Sequence, residues 1–281
     1  MVEGLKLFNL ERRASIRFRR VMPFTFSHPL AVVPLRRLCP ERLNFTALII
    51  GSMSPDFGYY IGKFPVANFA HTGLRTFVVC LPMGLLALGL FYLIRRPLCF
   101  VLPQPHRAAL MPLASRRPPV SVHSGVVAAL SILLGAWTHT VWDSFTHPDG
   151  WAVTHLAILH ATVIHVGTTS LAVFNFLQQV STFGAGAVLV GLHFRWLRRQ
   201  PTTAAGDTSV HDRWRYSLIA LLAAVALAIA VPAAFRLASP FEGYLAFRVF
   251  LFRTAVYSVA VFVPPLIVSS FVFYIVDRRS A

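Results

Sequence analysis

Apolar residues gather in runs long enough to cross a bilayer, without the strict alternation of strands or the one-sided stripe of a soluble helix. A spanning helix needs about 20 mostly apolar residues. Thr76–Ile94, Tyr216–Phe235 and Thr254–Val276 reach that length without a single charged side chain. In the last of these, Pro264-Pro265 is expected to kink or break the helix. Gly125–Val141 and Phe176–Phe194 are more polar but long enough, and Leu43–Ile61 is the weakest because it carries Asp56 directly after Pro55. The expected fold is therefore all-α, a polytopic membrane helix bundle of about six segments in which Leu43–Ile61 either spans or re-enters.

Charge supports this picture. Lys and Arg number 26 against 10 Asp and Glu, a formal net charge of +16, yet only 13% of the 281 residues are charged. That is about half the share usual in a soluble domain. The excess does not point to nucleic acid, because no recognition motif accompanies it. Instead the arginines sit in short runs beside apolar segments, such as Arg95-Arg96, Arg198-Arg199 and Arg278-Arg279. The positive-inside rule and anionic lipid at the cytoplasmic face account for such placement. With six spans and both termini cytoplasmic, 21 of the 26 basic residues lie inside and 5 outside. The expected location is the inner (plasma) membrane.

Between the spans, the Pro/Arg-rich stretch Pro97–Val120 reads as a flexible cytoplasmic loop, and residues 200–215 as a second, polar one that precedes a C-terminal pair of transmembrane helices in 216–281. The loop Asp143–Gln179 has no Lys or Arg and holds His147, His155, His160 and His165, so it is expected outside. Residues 1–21 form a basic extension, and Met22 opens a different pattern, as an alternative start codon would. Cys39, Cys80 and Cys99 are too scattered for a disulfide framework or a zinc knuckle.

The richest chemistry lies in Trp137-Thr138-His139-Thr140-Val141-Trp142-Asp143-Ser144-Phe145-Thr146-His147. His139 and Asp143, four residues apart, share one helical face, and His147 continues it if the helix passes that far before Pro148. Imidazole and carboxylate at this spacing suit zinc or another divalent metal. On a soluble helix such a pair is commonly a surface feature, whereas in an apolar helix an ionisable group is costly enough to imply a use. Asp56, the other carboxylate within a strongly apolar segment, is expected to be the nearest partner of this pair from elsewhere in the chain. His28 before Pro29 and His71 in Phe69-Ala70-His71-Thr72-Gly73 are weaker signals taken singly. Together, His28, Asp56, His71, His139 and Asp143 suffice for one or two metal ions with an open position.

The runs MPFTFSHPLAVVPLRRL, ALIIGSMSPDFGYY and LLGAWTHTVWDSFTHPDGW resemble a family of uncharacterised bacterial membrane proteins, over roughly Met22 to Arg199. Their order of His, Pro-Asp, His and His-x-x-x-Asp is also similar to that of inner-membrane metal-dependent hydrolases and, more remotely, of zinc-dependent phospholipase C proteins. The resemblance implies that His28, Asp56, His71, His139 and Asp143 are metal ligands. Around His71 the chain departs from the hydrolase pattern, lacking His-Arg-Gly and a following Thr-His-Ser, which leaves room for one metal more comfortably than two. The implied function is metal-dependent hydrolysis of a lipid or lipid-linked phosphoester. A non-enzymatic scaffold, or a small transporter using Asp56 and His139 as a relay, stands as the alternative. One conflict is built in: if Leu43–Ile61 spans, His28 and His71 lie on opposite sides of the membrane and cannot share a site.

Overall fold

A computed structural model describes residues 25–39, 41–71, 73–118, 120–166, 169–200 and 212–280. The 1–21 extension and most of the 200–215 loop lie outside the described residues. In chain order the helices are α1 (Pro29–Leu38), α2 (Phe45–Met53), α3 (Phe64–Ala70), α4 (Arg75–Val101), α5 (His106–Ser115), α6 (Val122–Thr146), α7 (Trp151–His155), α8 (Val173–Gln179), α9 (Gly186–Leu197), α10 (Arg213–Ala238) and α11 (Gly243–Ser280). A two-stranded antiparallel hairpin, β1 (Thr162–Val166) and β2 (Thr169–Ala172), separates α7 from α8.

Among the described residues, five helical stretches are long and apolar enough to cross a membrane: α4, α6 continued into α7, α8 through α9, α10 and α11. Their outer surfaces are apolar, with Leu86 74% and Phe235 66% exposed, which suits hydrocarbon rather than water. A polytopic all-α membrane bundle is thus what the chain forms. Pro264-Pro265 leaves α11 unbroken, since the helix runs continuously from Gly243 to Ser280. Pro97–Val120 is not a loop throughout: α4 continues past Pro97 to Val101, and α5 follows. This region is fastened down, with Arg96 Nη2 donating to the Ser115 carbonyl (2.6 Å) and the Gln104 amide to Asp212 Oδ2 (2.8 Å).

Leu43–Ile61 is not a spanning helix. It breaks into α2, a 3-10 turn at Ser54–Asp56 and a single helical turn at Phe57–Tyr60. Pro55 supplies no N–H, and the nine residues of α2 rise only about 14 Å. α1 and α2 form a hairpin that enters the bundle and returns. At its tip Asn44 caps α2 by accepting from the Ala47 amide (3.0 Å), and its own side chain donates to the Tyr92 hydroxyl (3.3 Å). The Arg95 guanidinium lies 4.8 Å over that tyrosine ring. The tip with Arg36, Arg37 and Arg42 therefore sits at the depth of Arg95, and both of its ends lie at the opposite end of the bundle. The arginine-rich tip keeps company with the other basic ends, as it would beside a full span. The described chain nevertheless starts at Thr25, beside Asp56, at the end opposite to the one where α11 finishes, which differs from six spans with both termini on one side.

The hairpin docks where α2 crosses α6 at two glycines. A Cβ on Gly51 would collide with the Ile132 carbonyl, and one on Gly135 with the Leu48 carbonyl and the Ser52 amide. Ile132, Ala47, Ile50, Leu88 and Ala128 form the core around this crossing. The second half is an α10–α11 hairpin, packed along the buried stripe Ala226, Ala230, Ala234 and Ala238, small residues four apart that let the helices approach. Phe100 meets Tyr274 (5.9 Å) and its carbonyl accepts from Arg215 Nε (3.0 Å), so the end of α4, the start of α10 and the end of α11 share one end of the bundle.

Candidate metal centre

Several elements deliver polar groups to the other end of the bundle, α6 more than one. The Gly51–Gly135 crossing sets the Ser52 carbonyl against α6, where it accepts from His139 Nδ1 (2.7 Å). His71, at the end of α3, likewise donates from Nδ1 to the Ala67 carbonyl (2.7 Å). A carbonyl can only accept, so both rings carry the Nδ1 proton and, when neutral, turn a bare Nε2 inward. Those two Nε2 atoms face each other at 3.1 Å.

Two carboxylates complete the ring. His71 Nε2 lies 3.3 Å from Asp56 Oδ1 and 3.4 Å from Asp143 Oδ2, and His139 Nε2 lies 3.7 and 3.2 Å from the same atoms. Asp56 is oriented by the Thr25 hydroxyl, which donates to Oδ2 (2.7 Å), leaving Oδ1 buried without a hydrogen bond. Both oxygens of Asp143 are buried and equally unsatisfied. His28 stacks on His139 (ring centroids 3.6 Å apart), with Nε2 3.6 Å from Asp143 Oδ1 and neither nitrogen hydrogen-bonded. Burial and the neighbouring His139 lower the His28 pKa to about 3, so this ring is neutral. For His71 burial also acts downward, but Asp143 and Asp56 outweigh it and raise the pKa to about 10, a sign that this spot favours positive charge.

All five residues singled out in the sequence therefore converge, and His28, Asp56 and His139, like His71, His139 and Asp143, could hold a metal ion. Bringing His28 and Asp56 to one place requires the re-entrant hairpin. One detail differs from expectation: His71, not Asp56, lies nearest to His139, because α3 delivers its ring end-on from the side. His147 also belongs to the cluster. α6 continues to Thr146, and His147 Nδ1 donates to the Asp143 carbonyl (3.1 Å) while its buried Nε2 has no hydrogen bond. Its i+4 spacing from Asp143 was the available signal, obscured by Pro148. His155, His160 and His165 stay outside, with His160 Nε2 3.0 Å from the Val153 carbonyl.

A cleft of about 560 Å³ opens onto the cluster, lined by His71, Asp143 and His147 together with Thr140, Phe145 and Trp151. Buried polar atoms without partners are rare in folded proteins, and this many in one place mark a site for a cation.

No curated protein and no solved structure matches the chain. One family does, over residues 22–273, and its description is Domain of unknown function (DUF4184). With nearly the whole chain matched, five apolar helices and a buried His/Asp cluster at one end, the protein belongs to the DUF4184 family.

Proposed function

We propose that this protein is a membrane-embedded, metal-dependent hydrolase acting on a lipid or lipid-linked phosphoester. The observation that carries the reading is the pair of Nε2 atoms turned toward each other at 3.1 Å by carbonyls behind them. Two nitrogens so placed need a proton or a metal cation between them, and imidazoles braced through their other nitrogen are the usual form of metal ligands. His71, His139, Asp56 and Asp143 would hold a divalent ion, zinc being the best match to this donor set, with His28 at its flank. Asp56 and Asp143 carry the charge that a divalent ion would cancel, in place of the extra proton on His71. When bound, such an ion supplies Lewis acidity and lowers the pKa of water toward neutrality.

The chain's own groups do the rest. Thr25, Ser52 and Ala67 fix the ligand orientations. His147 offers a buried Nε2 without a hydrogen bond at the edge of the cleft, placed to accept or return a proton during hydrolysis. Lipid is the favoured substrate class because of depth. Cys80, which packs with Ala136 beside the site, is about 23 Å along α4 from Arg95, within the roughly 30 Å hydrocarbon layer. Phe145 and Trp151 make the mouth of the cleft apolar.

Metal analysis of the full chain, purified without added metal, should find about one equivalent of Zn, Mn or Fe that a chelator removes together with phosphoesterase activity. A preparation that is folded and metal-free sinks the reading. The basic end of the bundle is assigned to the cytoplasm, so the site faces outward. A cysteine placed at position 160, with Cys39, Cys80 and Cys99 replaced, should label from outside in intact cells. Labelling only after permeabilisation would invert the orientation.

A further inference from the structure

A second cavity of about 400 Å³ lies between the α8–α9 stretch and α11 and shares no lining residue with the metal cluster's cleft. Both walls run the same way, from the site end of the bundle inward, so their residues can be compared level by level. Nearest that end, Gln179 Nε2 donates to the Tyr244 hydroxyl (2.9 Å) and Arg248 Nη2 to Gln178 Oε1 (2.6 Å). About one to two turns deeper the lining becomes Phe183, Leu251 and Ala255. The cavity is therefore polar and cationic at one level and apolar below it.

Two features make this more than a gap between helices. Arg248 lies only about 8 Å along the axis from Gly243, the first residue of α11, which is the depth of lipid headgroups on that side. An arginine within a spanning helix is expensive, and its planar fork of N–H donors suits phosphate oxygens. Beside it, residues Val180–Ala185 form a π-helical turn between α8 and α9. Such turns commonly mark functional positions in helices. The turn is fixed by the Ser27 hydroxyl, which donates to the Thr182 carbonyl (2.8 Å).

We infer that this groove binds an anionic phospholipid from the leaflet on the site side, its phosphate at Arg248, Gln178 and Gln179 and an acyl chain along Phe183, Leu251 and Ala255. Charge complementarity selects the headgroup, and the apolar floor selects an acyl lipid over a free phosphate ester. The inference does not depend on the hydrolase reading, since no metal ligand lines the groove.

The test uses the full chain in neutral detergent, stripped of lipid and titrated with dimyristoyl phosphatidylglycerol or dimyristoyl phosphatidylcholine, with bound lipid counted by native mass spectrometry. The expected result is one phosphatidylglycerol per chain, bound at least tenfold more tightly than phosphatidylcholine. Arg248→Gln should remove that preference, and Ala255→Phe, which fills the apolar floor, should abolish binding with metal content unchanged. Glycerol 3-phosphate, the headgroup without its chains, should not displace the lipid. Equal binding of the two lipids, displacement by glycerol 3-phosphate, or undiminished binding in Ala255→Phe would each overturn the inference. The last outcome decides even if Arg248→Gln fails to fold.

Discussion

Alanine at His71, His139, Asp56 or Asp143 should each empty the centre of metal, and double substitutions should lose no more than the singles. The size of the effect follows from construction. Groups standing behind metal ligands are worth about 10–100-fold in affinity, so removing a ligand should cost more than about 100-fold. Non-additivity follows because the four atoms act on one ion, and the first deletion already forfeits it. Isothermal titration with zinc against the stripped protein measures the loss. His160→Ala is the control: its ring meets the Val153 carbonyl and the Phe174 ring and lies outside the cluster, so affinity should stay at the wild-type value. If Asp143→Ala keeps full affinity while His160→Ala loses it, the centre has been placed on the wrong residues.

A single methyl group at Gly51 or Gly135 should do comparable damage from outside the cluster. At both positions the new Cβ meets backbone, not a side chain that could turn aside. Overpacking of this kind costs about 1–3 kcal/mol, and more when backbone must move. The two helices would have to separate, carrying the Ser52 carbonyl away from His139 Nδ1 and freeing the ring to rotate. Gly51→Ala and Gly135→Ala should therefore lower the thermal midpoint in detergent and weaken metal binding together. Gly125→Ala, on the same helix as Gly135 but with open space around it, should be neutral or stabilising, since Ala favours a helix over Gly by about 0.5–1 kcal/mol. Equal melting of Gly125→Ala and Gly135→Ala would show that the crossing does not hold the fold.

Most of the bundle was legible because a spanning helix is written in one local property, sustained apolar composition. Thr76–Ile94 and Tyr216–Phe235 lie inside α4 and α10 for that reason. Leu43–Ile61 deceived because its average hydropathy says nothing about Pro55 and Asp56, which cut the helix, and because the arginines flanking it obey the same side rule whether the chain crosses or turns back. The cluster was legible as a set of costly groups, His28, Asp56, His71, His139 and Asp143, each anomalous in its surroundings. Its geometry was not. That His71 would lie closest to His139, and that Ala67 and Ser52 would fix both tautomers, depends on backbone carbonyls that no side-chain pattern reveals. The groove at Arg248 escaped notice because one arginine near a helix end looks like an ordinary interfacial charge.

The re-entrant hairpin also dictates an order of assembly during synthesis. Ser27 reaches Thr182 across 155 positions of sequence, and the Ser52 carbonyl reaches His139 across 87. At ribosomal rates of about 5–20 residues per second, α2 waits roughly 4–17 seconds before His139 exists to receive it, and α1 waits longer. In that interval Asp56 has neither His139 nor the Gly135 notch, and His28 has no ring to stack on. The hairpin is thus seated only after the middle of the chain, first α6 and then Thr182, has been made. Metal capture by the proposed centre would need groups from both ends of this interval and could only follow, so acquisition of an ion would report that the hairpin has found its place.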